Sequence, residues 1–138
     1  MSVSENGGAV VVVERVRAPM AAVFEFLVDP LKLVRWLGQE VEIDPQPGGR
    51  FWVNMNGTDV AVGNYVEVTP PHRVVFTWGW QGSPHVPPAS STVSIFLTED
   101  GDHTLVELCH RDLPGGDDAD HRGGWESYLP GLAAVSES

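Results

Sequence analysis

Between residues 41 and 111 the chain is a succession of short segments in which apolar residues alternate with polar ones, each closed by a cluster of Gly, Pro, Asp or Asn. That pattern fits antiparallel strands with one apolar face, and such a face has to be covered. Residues 121–132 supply a cover. Trp125, Leu129 and Leu132 are spaced i, i+4 and i+7, one face of a helix, with Tyr128 beside them. A curved sheet and a helix that carries a Trp commonly leave room for a ligand between them, so function is expected at this segment.

The segments can be taken in turn. Residues 10–17 are β-branched and end at Ala18-Pro19, which marks a strand. Pro19 suits a helix start, and Val23, Phe24, Leu27 and Val28 form an apolar stripe that Asp29-Pro30 stops. A second short helix is expected over about residues 31–36. Residues 41–43 form a short strand, closed by the turn 44–49. In residues 50–56 Phe51, Val53 and Met55 share a face. Val60, Val62, Val66 and Val68 share another, interrupted by Asn64, while Gly63 and Tyr65 point the other way. Val74, Phe76, Trp78 and Trp80 line up on one face of the next strand, and residues 81–90, with Gly82, Pro84, Pro87 and Pro88, read as an irregular loop. Loops of that length more often bind than pack. Val93, Ile95 and Leu97 alternate in the following strand. The last one puts Val106, Leu108 and His110 on one face and Leu105, Glu107 and Cys109 on the other. Asp117 or Asp118 can cap the final helix.

At 138 residues the chain is expected to be one domain, residues 9–138, behind a flexible tail over residues 1–8. Eight basic residues against nineteen acidic ones give a net charge of −11, and Lys32 is the sole lysine. Phosphate backbones would be repelled, so no nucleic-acid partner is expected. No apolar run approaches the roughly 18 residues of a membrane span, and the N-terminus has no basic residue or long apolar core of a secretory signal. A cytoplasmic location is the default expectation. Cys109 stands alone, which excludes an intramolecular disulfide and a Cys-rich metal site.

In their order, several weak motifs resemble a known superfamily. They are Ala18-Pro19 with Val23-Phe24, Asp29-Pro30 with Trp36, Pro47-Gly48-Gly49-Arg50-Phe51, Gly63 followed by Pro70-Pro71-His72-Arg73-Val74-Val75-Phe76-Thr77-Trp78, Thr104 with His110, and Gly124-Trp125 with Tyr128-Leu129. The succession, covering about residues 9–132, resembles the SRPBCC superfamily. Within it, it is similar to the group named after the C-terminal domain of the activator of heat-shock-protein ATPase. The resemblance implies an α+β helix-grip fold, a curved antiparallel sheet of about six or seven strands wrapped on a C-terminal helix, with one or two short helices after strand 1. START lipid-transfer domains, the birch-pollen allergen and polyketide cyclases share it, usually with a cavity between sheet and terminal helix. Many members of the group share no catalytic set, so only pocket positions carry over. Two departures matter: Pro130 stands in mid-helix, and the sequence ends six residues after Leu132. They predict a kinked, broken or loosely docked lid that closes as far as Leu129, with the remainder mobile or engaged with a second subunit.

The ligand-binding candidates are Trp36, Phe51, Met55, Phe76, Trp78, His110, Trp125, Tyr128 and Leu129. Each Trp taken alone is more simply core, but five in such a chain offer flat faces for aromatic ligands and N–H donors for polar ones. Trp52 falls on the opposite face from Phe51 and Val53. His110 puts a titratable group at the end of an apolar row, where it either meets a ligand oxygen or pairs with backbone groups. Asn64 carries the same two readings. No Gly-x-Ser-x-Gly or His-x-x-x-His is present, and Asp117, Asp118 and Asp120 read as a charged helix start rather than a calcium loop. No metal, cofactor or catalytic residue is assigned. The expected function is binding of a small hydrophobic molecule, aromatic, polyketide-like or lipid-like, with room for cyclase-type activity that works by orienting a reactive chain. The alternative is a co-chaperone-like protein-interaction module, with a protein partner or a homodimer.

Overall fold

In a computed structural model, which describes residues 9–114 and 117–137, the chain is an α+β domain. The expected tail over residues 1–8 and the side chain of Asp118 lie outside the described residues. Strand β1 (Val10–Val16) is followed by helices α1 (Met20–Val28) and α2 (Pro30–Leu33). Then come β2 (Glu40–Ile43), β3 (Arg50–Asn54), β4 (Val60–Thr69), β5 (Arg73–Trp78), β6 (Ser91–Asp100), β7 (His103–Arg111) and the terminal helix α3 (Asp118–Glu137). The seven strands make one sheet in the order β1-β7-β6-β5-β4-β3-β2, antiparallel throughout. Strands β2 to β7 form a meander, and β1 closes the far edge, so α1 and α2 carry the chain from one edge of the sheet to the other. Helix α3 lies along β1 and against α1, which also reaches β6 and β7.

Local chemistry explains the breaks. Asp29 is extended, as a residue before proline prefers, and so ends α1. Its carboxylate then accepts the Leu31 N–H at 2.9 Å and starts α2, which is shorter than expected, a single turn. Alternation holds along β7, where Val106, Leu108 and His110 are fully buried. It fails in β4. There Ala61, Gly63 and Tyr65 face the core, while Val60 and Val62 are half-buried, Asn64 is exposed and Val66 is 52% exposed. A register shift between Tyr65 and Glu67 turns the strand, so that Val68 comes to pair with Val74. Asn64 is therefore not a polar interruption of an inward row.

Helix α3 corrects a second expectation: it runs through Pro130 without interruption, and Leu132 and Ala133 beyond it are buried. Pro130 and Glu126 both sit on the exposed side, so the ring avoids the core and water can reach the carbonyl that loses its donor. Both halves of the helix are also tied to β1 or to the residue that follows it. Arg122 Nη1 donates to the Val11 carbonyl at 3.1 Å, and Glu137 Oε2 accepts the Arg17 N–H at 2.9 Å. The segment after Leu129 is docked.

Two predictions follow from this docking. Replacing Pro130 with Ala should raise stability by about 2 kcal/mol, somewhat less than the cost of a proline in a free helix interior. Urea unfolding checks this, and a loss would mean that the ring itself packs. Glu14, on the inner side of β1, has its carboxyl pKa raised by burial and by Glu137. A raised acid pKa means that stability is lost as pH rises above the ordinary carboxyl range. Glu14→Gln should therefore raise Tm at pH 7 and make no difference at pH 3, where both chains carry a neutral side chain.

Candidate functional site

A cavity of about 460 Å³ lies where the N-terminal half of α3 faces the β3–β4 hairpin and the β5–β6 loop. Its deepest wall is apolar: Trp78, Trp125, Met55 and Val86 line it and are all buried. Trp80 and Tyr128 form half-buried sides, and Asp59, Gln81, Gly82, His85 and Asp120 make an exposed rim. From α3 the lining residues are Asp117, Asp120, His121, Gly124, Trp125 and Tyr128, the three-and-four spacing of one helix face. The indole of Trp78 sits at the centre, 5.3 Å from the Trp80 ring and 5.0 Å from that of Trp125.

The walls are built from short-range bonds. The backbone N–H of Trp80 donates to the Val86 carbonyl at 2.8 Å, and Ser83 Oγ accepts the Val86 N–H at 3.0 Å, which closes the loop on itself. Gln81 and Ala89 donate to the carbonyls of Val60 and Val62, fastening the loop to β4. Gly79 permits this approach, since a Cβ there would collide with the Pro87 carbonyl. In the hairpin, Asn56 Oδ1 accepts the N–H groups of Thr58 and Asp59 at 2.9 and 2.8 Å, which sets the Asp59 carboxylate on the rim.

Behind the wall is a polar chain. Ser91 donates its hydroxyl to the Trp78 carbonyl at 2.7 Å, so toward His110 Nε2, 2.8 Å away, it can only accept. His110 therefore carries its proton on Nε2, which leaves Nδ1 to accept the Trp125 indole N–H at 3.0 Å. A second indole–imidazole pair runs the opposite way: Trp80 donates to His121 Nε2 at 3.1 Å, and His121 Nδ1 donates to the Asp117 carbonyl at 2.8 Å. Helix and sheet thus exchange one such bond in each direction. Burial, and secondarily His121, push the His110 pKa down to about 3. Both nitrogens of each ring are engaged, so neither His is free to take a proton from a ligand. Among the described residues no group of three or more His, Cys, Asp or Glu could hold a metal ion, and no helix is long and apolar enough to cross a membrane.

Of the candidates from sequence, Met55, Trp78, Trp125 and Tyr128 meet at the cavity. Phe51 and Phe76 stack with ring centroids 4.1 Å apart, and Phe51 lies 5.9 Å from Trp78, so they support the wall from within the core. His110 does so through Trp125. Trp36 is elsewhere: it is buried and donates its N–H to the Phe26 carbonyl at 2.9 Å. Leu129 is fully buried and outside the lining. Trp80, Asp59, His85, Asp117, Asp120, His121 and Gly124 were not among the candidates. The helical repeat back from Trp125 could have found Gly124, His121 and Asp117, whereas Asp59 and His85 arrive only through the closing of two loops. One polar atom of the wall stands out, the Trp78 N–H, which is buried and has no acceptor among the described residues.

A seven-stranded antiparallel sheet that grips a C-terminal helix, with a cavity beneath that helix, defines an SRPBCC-type domain. Residues 17–137 match the family described as Activator of Hsp90 ATPase homolog 1-like protein, and the chain belongs to that family. Among solved structures, an AHSA1-like protein from Rhizobium etli is 44% identical, with 94% of this chain and 83% of that one covered and a TM-score of 0.71. CalU16 from Micromonospora echinospora is 29% identical, covers 94% and 76%, and has a TM-score of 0.78. An HSP90 activator from Plasmodium falciparum is 23% identical, covers 94% and 96%, and has a TM-score of 0.74, a likeness of fold alone. No curated protein matches the chain.

The lowered His110 pKa fixes the sign of an acid response. Below about pH 6.5 the unfolded chain binds a proton at this residue, while the folded chain does not until about pH 3. Stability should therefore fall as pH drops through that window, with His110 contributing a slope of up to about 1.4 kcal/mol per pH unit. Denaturant unfolding of the parent and of His110→Gln between pH 7 and 4 checks this. The variant should show the shallower dependence, and parallel curves would remove His110 from the response.

Proposed function

We propose that the chain binds a small, largely apolar molecule, aromatic or polyketide-like, in the cavity over Trp78 and Trp125. The observation that carries this is the cavity itself. It is a concave cleft of about 460 Å³ with an aromatic and apolar floor, a size typical of small-molecule sites. Since His110 and His121 are both fully engaged, cyclase-type chemistry in this site would come from holding a reactive chain in one geometry. The co-chaperone-like alternative has one point in its favour: Val11 and Val13 on edge strand β1 are 44% and 52% exposed, an apolar strip open to a protein partner.

Gly124 provides a test that spares the core. A Cβ there would meet nothing within 4 Å, so a larger side chain can grow into the cavity without displacing neighbours. Gly124→Leu should keep or raise Tm, because Gly is a poor helix residue, by about 1 kcal/mol relative to Ala. In titrations followed by Trp fluorescence, the parent should respond saturably to at least one of a panel of neutral, cationic and anionic aromatic compounds. The variant should bind that compound roughly tenfold or more weakly. No saturable response from any compound would count against a ligand site, and unchanged binding by the variant would place the ligand elsewhere.

A further inference from the structure

We infer that the cavity selects amphipathic organic cations, molecules with a flat apolar body and a protonated amine or quaternary ammonium group. This deepens the proposed function and rests on the cavity being a ligand site.

Three carboxylates, Asp59, Asp117 and Asp120, line the cavity, and its lining includes neither Lys nor Arg. One of the three, Asp117, is met by His85 at 2.9 Å. The Asp59 carboxylate accepts a hydrogen bond from the neutral amide of Asn56 at 3.0 Å and has no ion pair among the described residues. Asp120 has no ion pair among the described residues, and the whole chain carries −11. A concave site with one sign of charge at its mouth and low-dielectric walls concentrates the opposite charge. The walls act in the same sense. Trp80 and Tyr128, the half-buried aromatic residues of the cavity's sides, put accessible aromatic surface beside those carboxylates, and an aromatic face attracts a cation. The two features are independent, one from the hairpin and helix start and the other from the sheet and helix body, yet they favour the same ligand charge. An anionic fatty acid or aromatic acid would meet the carboxylates and is disfavoured.

The test uses one ring system with three charges at pH 7: 9-aminoacridine as the cation, acridine as the neutral form and acridine-9-carboxylate as the anion. Each is titrated against the parent, Asp59→Asn/Asp120→Asn and Gly124→Leu at low salt and at high salt. The parent should bind the cation roughly tenfold more tightly than the neutral compound and the anion most weakly. That preference should shrink in the double Asn variant and at high salt, where screening weakens exposed charges. Equal affinity for the three compounds, or preference for the anion, would overturn the inference and leave the ligand site standing. An undiminished preference in the double Asn variant would overturn it as well. Cation binding that survives in Gly124→Leu would assign the charge effect to the acidic surface, again overturning it. Failure of all three to bind the parent would remove the ligand site and this inference together.

Discussion

The structure depends on docking a helix that could not stand alone. Helix α3 contains Gly123, Gly124, Pro130 and Gly131, four residues that each weaken a helix interior. Most helical stability in proteins comes from packing an amphipathic face rather than from propensity, and α3 is an extreme instance. What holds it is the burial of Trp125, Leu129 and Leu132 against a sheet whose inner face would otherwise be wet, together with ties, near both of its ends, to β1 or to the residue that follows it. Sheet and helix are each other's condition. The cavity exists because this mutual cover is incomplete at the end where α3 starts.

How the cover is joined also decides what the site can do. Two imidazoles in the interior could suggest acid–base chemistry, but each accepts an indole N–H on one nitrogen and donates on the other. Such a network fixes orientation and tautomer, and polar groups satisfied in this way rigidify a core. His110 is thereby turned from a reagent into a joint between β6, β7 and α3. What remains on the accessible lining is aromatic surface and carboxylate charge.

Much of this was legible in the sequence, and the failures have physical causes. The inward direction of His110 and Trp78 follows from period-two alternation, and the shared helix face of Trp125 and Tyr128 from helical spacing. The role of His110 was not legible, because its partner Ser91 sits at the start of β6, and only sheet register brings the two together. Strand β4 misled because a row of valines looks like a core face, while the core takes Ala61, Gly63 and Tyr65, and one bulge then reverses the parity for Val68. Pro130 misled in the other direction: propensity predicts a break, and tertiary packing on both sides of the residue overrides it. Asp59 and His85 belong to loop closures that no periodicity announces.

Gly124 is a residue that the fold alone does not explain. Its position in α3 needs no special backbone angle, and a methyl group there would meet no other atom within 4 Å, so neither conformation nor packing calls for glycine. Relative to Ala it costs the helix about 1 kcal/mol. What the missing side chain does leave is volume, since residue 124 lies on the face that lines the cavity, between His121 and Tyr128. Gly123 differs: it is exposed and lines nothing, and the structure offers no account of it. Glycine therefore weakens the helix at a point where the missing side chain enlarges the cavity, and neither conformation nor packing accounts for it.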